Sequence, residues 1–205
     1  MRYVWAIVGA VAVAGVVGAV VGSGSASAAG DTPTYVGADK CKACHLKEFK
    51  SWKETGLAKA FEALKPNVAA DKKTAAKLDP AKDYSGDPAC LKCHSTGYGT
   101  ASGYPAVEAD KPVAEADQAR ATANQGVTCE ACHGPGSLYP AFKKNKKDFK
   151  FEEIAALGAV KPSAESCAPC HAKECPTMPA DYKFDFEASK HSPKMHEHFP
   201  LKNPH

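Results

Sequence analysis

Four copies of one five-residue pattern carry the chemistry of this chain: Cys41-Lys42-Ala43-Cys44-His45, Cys90-Leu91-Lys92-Cys93-His94, Cys129-Glu130-Ala131-Cys132-His133 and Cys167-Ala168-Pro169-Cys170-His171. C-x-x-C-H is the attachment signature of c-type haem. Two thiols separated by two residues reach the two vinyl groups on one edge of the porphyrin and form thioethers, and the next histidine is then held beneath the iron as its proximal ligand. A single C-x-x-C is equally compatible with a zinc knuckle or a redox dithiol. Four copies, each followed at once by histidine, take eight of the nine cysteines and half of the eight histidines. Zinc or disulfide pairing needs no such histidine in every motif. The expectation is therefore four covalent c-type haems, with His45, His94, His133 and His171 as iron ligands. The odd thiol, Cys175, reads as an inert cysteine, with an intermolecular disulfide as the alternative in an oxidising compartment.

The elements that position these motifs come from the rest of the chain. Met1-Arg2, an apolar run from about Ala6 to Val21, and the small-residue end containing Ala26-Ser27-Ala28 make the three regions of a secretory signal. Residues 1–28 are expected to be that signal and 29–205 one haem-bearing domain, placed in the periplasm; membrane association would require the signal to stay uncleaved. About 177 residues then serve four haems, too few for a large conventional core. The macrocycles must supply much of the buried apolar surface, within a mainly α-helical fold with long loops. Formal charge is +3 over the whole chain, a near balance that argues against nucleic acid as a partner.

In chain order, Leu46, Phe49, Trp52, Leu57, Phe61 and Leu64 recur at helical steps, so Leu46 to Leu64 reads as one amphipathic helix stopped by Pro66. Asn67 to Leu78 reads as a second, more exposed helix, and Asp79 to Pro88 as a loop into the second motif. Turns follow His94, and Pro112 to Asn124 reads as a short polar helix opened by its proline. Gly134-Pro135-Gly136 turns the backbone sharply after the third motif, allowing a close approach to a neighbouring haem edge. Lys143, Lys144, Lys146, Lys147 and Lys150 form a basic cluster, read as a solvated helix end or a docking surface for an acidic redox partner. Phe149 to Leu157 is expected to be helical. The motifs begin 49, 39 and 38 residues apart, and the segments between them share no further pattern. The unit is not a solenoid.

Several stretches outside the motifs resemble the tetrahaem cytochrome c-554 family of periplasmic electron carriers. They are Ser51-Trp52-Lys53-Glu54-Thr55, Ala58-Lys59-Ala60, Leu64-Lys65-Pro66-Asn67-Val68, Lys77 to Tyr84, Cys129 to Gly136, and Met195-His196-Glu197-His198. The resemblance implies a mainly helical fold with closely packed haems, three with two axial histidines and the one on His94 five-coordinate with an open face. It implies His196 as the distal ligand opposite His45. Two further distal positions depart from the family pattern: Leu57 stands where a histidine is expected, and the segment after Gly136 contains Tyr139 and lysines but no histidine. The histidines outside the motifs are His191, His196, His198 and His205, all in the last fifteen residues. At most one or two haems should then be bis-histidine within a monomer. The others would be open, ligated by Met178, Met195, Tyr139 or a lysine, or completed by a second subunit. For each Met or Tyr, packing is the competing role.

The leading functional expectation is a periplasmic carrier passing single electrons between redox proteins. Its donor would be a hydroxylamine oxidoreductase-like multihaem enzyme, and its acceptor another cytochrome or a membrane quinone reductase. Two alternatives stand beside it: reduction of nitric oxide or hydroxylamine at an open iron on His94, and polymerisation into a haem wire.

Overall fold

The computed structural model describes residues 32–140, 149–171, 175, 177–179 and 181–201. The chain divides into two units, Met1–Gly30 and Asp31–His205, and the described residues belong to the second. The expected signal, Lys143, Lys144, Lys146, Lys147 and His205 lie outside the described residues.

Among the described residues the architecture is helical, with an isolated antiparallel bridge between Ser95 and Gln125. The helices are short: α1 (Ala38–Cys41), α2 (Leu46–Lys53), α3 (Ala70–Ala75), α4 (Pro88–His94), α5 (Gln118–Ala123), α6 (Cys129–His133), α7 (Phe151–Ala155), α8 (Ala164–Cys167) and α9 (Phe186–Ser189). Single 3₁₀ turns lie at Glu62–Leu64 and Glu115–Asp117. None of the helices described is long and apolar enough to cross a membrane.

The expected long helix from Leu46 to Leu64 stops at Lys53. The Thr55 hydroxyl donates to the Trp52 carbonyl at 2.7 Å, and the backbone N–H groups of Glu54 and Thr55 close onto carbonyls three residues back. This tightens and ends the helix. The chain then runs as turns to the 3₁₀ segment, whose Leu64 is buried beside Phe61. Trp52 Nε1 donates to the Val127 carbonyl at 2.9 Å, and Val127 N–H donates to Leu57 O at 3.0 Å. These bonds fasten the end of α2 to the entry of the third motif. The second expected helix shortens to Ala70–Ala75 because Asn67, Ala69 and Lys77 adopt left-handed backbone conformations at its ends. The polar helix expected from Pro112 starts at Glu115 as a 3₁₀ turn and becomes α5 at Gln118.

Two small apolar clusters hold the body. One gathers Phe61, Leu64, Tyr84, Leu91, Tyr104 and Ala121, with Cys90 packed against it. The other gathers Phe149, Ile154 and Ala159 with Tyr139 and Phe151. Lys73 is buried under the first, its Nζ donating to Leu64 O at 3.3 Å and Lys65 O at 2.5 Å and lying 5.4 Å from the Tyr84 ring centre. K73M keeps the stem but removes the charged donor from two carbonyls, which retain the N–H groups of Tyr84 and Val68. It should cost about 2 kcal/mol and lower the midpoint of thermal unfolding by about 5 °C, read by far-ultraviolet circular dichroism.

Gly134 has φ +79°, and a side chain there would collide with the Gly158 carbonyl. The sharp turn expected after the third motif therefore seats α6 against the end of α7, with Val160 N–H donating to His133 O at 2.8 Å.

Candidate haem-binding sites

Each C-x-x-C-H motif forms a single helical turn. In the first, α1 ends at Cys41 and the N–H groups of Cys44 and His45 both return to its carbonyl, at 3.1 and 2.9 Å. The second lies wholly on α4, started by Pro88 and by the Asp87 carboxylate, which accepts from Ala89 N–H at 2.8 Å. The third is α6 itself. In the fourth, the N–H groups of Cys170 and His171 return to the Cys167 carbonyl, at 3.2 and 3.1 Å. On a helical turn, residues three and four apart share one face. Both thiols and the imidazole of each motif thus project to one side, as a porphyrin edge and its iron require.

All nine cysteines are free of disulfides. The thiols of Cys41 and Cys129 are close enough to perturb each other, and so are those of Cys93 and Cys170. Cys132 and Cys167 are close enough that their charges interact. The motifs are therefore neighbours in the order first, third, fourth, second, which is not their order in the chain. For the thiols before attachment, the closeness of Cys170 lowers the Cys93 pKa to about 7, and burial raises those of Cys90 and Cys132 to about 11.

The imidazoles test whether these residues fit haem iron. A histidine binding iron through Nε2 needs its Nδ1–H donated elsewhere. His94 Nδ1 lies 2.5 Å from the Ala60 carbonyl oxygen, which can only accept, so Nδ1 holds the proton and Nε2 presents its lone pair. His196 is oriented likewise by Glu197 O at 2.8 Å. His171 Nδ1 lies 2.7 Å from the Tyr182 hydroxyl, with Phe184 stacked on its ring at 4.3 Å. Burial lowers the His171 pKa and favours the neutral form a ligand needs.

The rings of His133 and His196 have centroids 6.4 Å apart. Two imidazoles on opposite faces of one metal ion, each bound through nitrogen at about 2 Å, have centroids roughly 6 Å apart. The residues present fit the group. The resemblance implied His45 as the partner of His196; the structure also brings the His133 ring to that spacing from His196. The C-terminal segment runs along α2: Glu197 N–H donates to Ser51 Oγ at 2.7 Å, and Lys47 Nζ lies over the Phe199 ring at 5.6 Å. Since α2 begins directly after His45 and is also bonded to Val127, that path adjoins both the first and the third motifs.

The other expected candidates fall out as follows. Leu57 is half-buried and borders an open bowl of about 900 Å³ between α2 and the tail residues Pro193, Lys194, Glu197 and Phe199. Tyr139 donates its hydroxyl to His133 O at 3.0 Å and packs in the second cluster, which makes it a brace for α6. Met178 and Met195 are half-buried. His198 lies 4.6 Å from His196 and 5.3 Å from His191, ring centre to ring centre. Three groups escaped the sequence reading: the Ala60 carbonyl, Tyr182 and Glu130. Backbone carbonyls carry no sequence signal, Tyr182 follows no periodicity, and Glu130 occupies a motif position that any residue can fill.

Helical turns that each present two thiols and an imidazole, four times in one chain, define a multihaem c-type cytochrome. The family described as cytochrome c554 and c-prime matches residues 40–134. Cytochrome c-554 of Nitrosomonas europaea is 38% identical over 199 residues, covering 85% of this chain and 80% of that protein. The solved structure of the reduced state of cytochrome c554 from the same organism superposes with a TM-score of 0.67 at 37% identity, covering 84% of this chain and 89% of the other. The chain belongs to the cytochrome c554 family: an electron-transfer protein whose cofactor is c-type haem and whose partners are redox proteins.

Proposed function

We propose that this protein is a four-haem periplasmic carrier, exported by residues 1–28, that moves single electrons between two redox partners along its four motifs. When bound, each haem supplies an iron that alternates between ferric and ferrous states, so the cofactor brings the one-electron chemistry. The protein's part is attachment, orientation and spacing. Cys41 and Cys44, Cys90 and Cys93, Cys129 and Cys132, and Cys167 and Cys170 form the thioethers; His45, His94, His133 and His171 bind the irons from the attachment side.

The observation that carries this reading is the thiol order. Cys41 beside Cys129, Cys132 beside Cys167, and Cys170 beside Cys93 string the attachment edges into one line from the first motif to the second. A line with two ends suits a carrier that accepts at one end and donates at the other. The 6.4 Å spacing supports His196 as the distal ligand of the haem on His133. His94, anchored on Ala60 O, holds the terminal haem at the second motif.

Coulometric titration of the purified protein should take up four electrons per chain, with the sharp α-band of reduced c-type haem. Uptake of fewer than four electrons overturns the count. Sustained consumption of nitric oxide or hydroxylamine by the reduced protein, above that of a bis-histidine cytochrome, would move it to the reductase class.

A further inference from the structure

We propose that Glu130, the second residue of the third motif, sets the reduction potentials of the haems at the first and third motifs through a fixed buried negative charge. The proposal rests on the four-haem reading above and adds to it the group that makes the first half of the line electronically different from the second.

Glu130 is 3% exposed and its carboxylate accepts from backbone only. Val36 N–H reaches both oxygens at 3.0 and 3.1 Å, Gly37 N–H reaches Oε2 at 2.7 Å, and Gly136 N–H reaches Oε1 at 2.7 Å. Every one of these contacts is a donor facing an oxygen, the pattern of an acceptor-only carboxylate. The donors come from two places: the strap just before α1, which delivers Cys41, and the turn just after α6. The side chain therefore ties the first and third attachment turns together.

Its charge is felt on both sides of that tie. Before attachment, the Cys41 thiol is pushed up by its closeness to Cys129 and by burial, and the Glu130 charge adds to the rise. The same charge acts on Cys129, where it opposes the lowering that the closeness of Cys41 produces. Tyr35 and Tyr139, both raised mainly by burial, are raised further by Glu130. These groups surround the junction of the two motifs. In a water-poor interior a unit charge acts over many ångströms with little salt screening. One electron taken up at an iron lowers the local positive charge by one, so a nearby fixed anion favours the oxidised state and lowers the potential. Among the described residues no buried carboxylate ties the second motif to the fourth, where Cys93 Sγ lies 3.9 Å from the Pro169 carbonyl oxygen.

The test is optical potentiometric titration of the holoprotein and of E130Q and E130D. E130Q removes the charge in nearly the same volume; E130D keeps the charge and shortens the reach. In E130Q two of the four one-electron steps should move to higher potential, with the oxidised-to-reduced ratio at fixed potential falling about tenfold, which is about 59 mV for a one-electron couple. The shift should persist in 0.5 M salt, on the order of ten times the screening of dilute buffer, because the charge is buried. E130D should leave those steps near wild type even if its melting temperature falls. Accumulation of E130D holoprotein with wild-type potentials also supports the proposal if E130Q fails to mature. Unchanged potentials in E130Q, equal shifts in both variants, or loss of both variants assigns Glu130 a purely structural role and overturns it. A wild-type haem content below four would instead fail the four-haem reading, independently of Glu130.

Discussion

Replacing Cys129 and Cys132 together by alanine should leave a protein with three haems where the wild type has four, and little of it. The direct readout is the ratio of pyridine haemochrome to protein, with a matching loss of one haem in the intact mass. The yield follows from packing. The two apolar clusters bury few large side chains, and the third motif sits where several ties converge: Glu130 to Val36 and Gly37, Gly134 against Gly158, and Tyr139 on His133 O. A porphyrin plate that withdraws roughly 400 Å² of apolar surface contributes about 10 kcal/mol, comparable to the net stability of an ordinary domain. Removing that plate from the junction should reduce accumulated holoprotein at least tenfold. The single variants C129A and C132A keep one thioether and should retain the fourth haem with a milder loss. Four haems in the double variant, or none, would refute the assignment of one haem to this turn.

How much of this could be read beforehand differs by element. The attachment residues were legible because four thiol pairs, each with an adjacent histidine, leave one chemistry standing. The helical class was legible from apolar steps such as Phe49 to Trp52, but helix ends were not. Thr55 ends α2 through a hydrogen bond from its own hydroxyl, and Ala69 enters α3 in a left-handed conformation that no propensity rule assigns to alanine. The role of Glu130 was hidden because a variable motif position gains meaning only when Val36 and Gly37 fold over it, 94 and 93 residues away in sequence. The partner of His196 was hidden for a similar reason. Sequence places His196 at the end of the chain, and the bonds from Glu197 to Ser51 and from Trp52 to Val127 bring that end beside α2 and the third motif. The order of the motifs in space, first, third, fourth, second, is likewise a product of tertiary contacts between thiols.

That partner assignment makes the second large effect. H196A should convert one low-spin haem to high-spin, seen as a new high-spin signal in the EPR spectrum of the oxidised protein and a weakened Soret band. With the Nδ1 proton held by Glu197 O, His196 keeps Nε2 free to bind iron, its ring centre 6.4 Å from that of His133, and alanine removes that strong-field ligand. Added imidazole should restore the low-spin spectrum, which a change of fold would not permit. His198 is a neighbour able to substitute, its ring 4.6 Å from that of His196, so a muted effect in H196A should become complete in H196A/H198A. The choice between His133 and His45 is made by combining variants. In the C129A/C132A background the third haem is gone, and H196A should then add no further high-spin signal. If His196 instead serves the haem opposite His45, the same substitution still converts one haem there. Non-additivity between two changes that act on one iron is the expected signature of His133 and His196 sharing it.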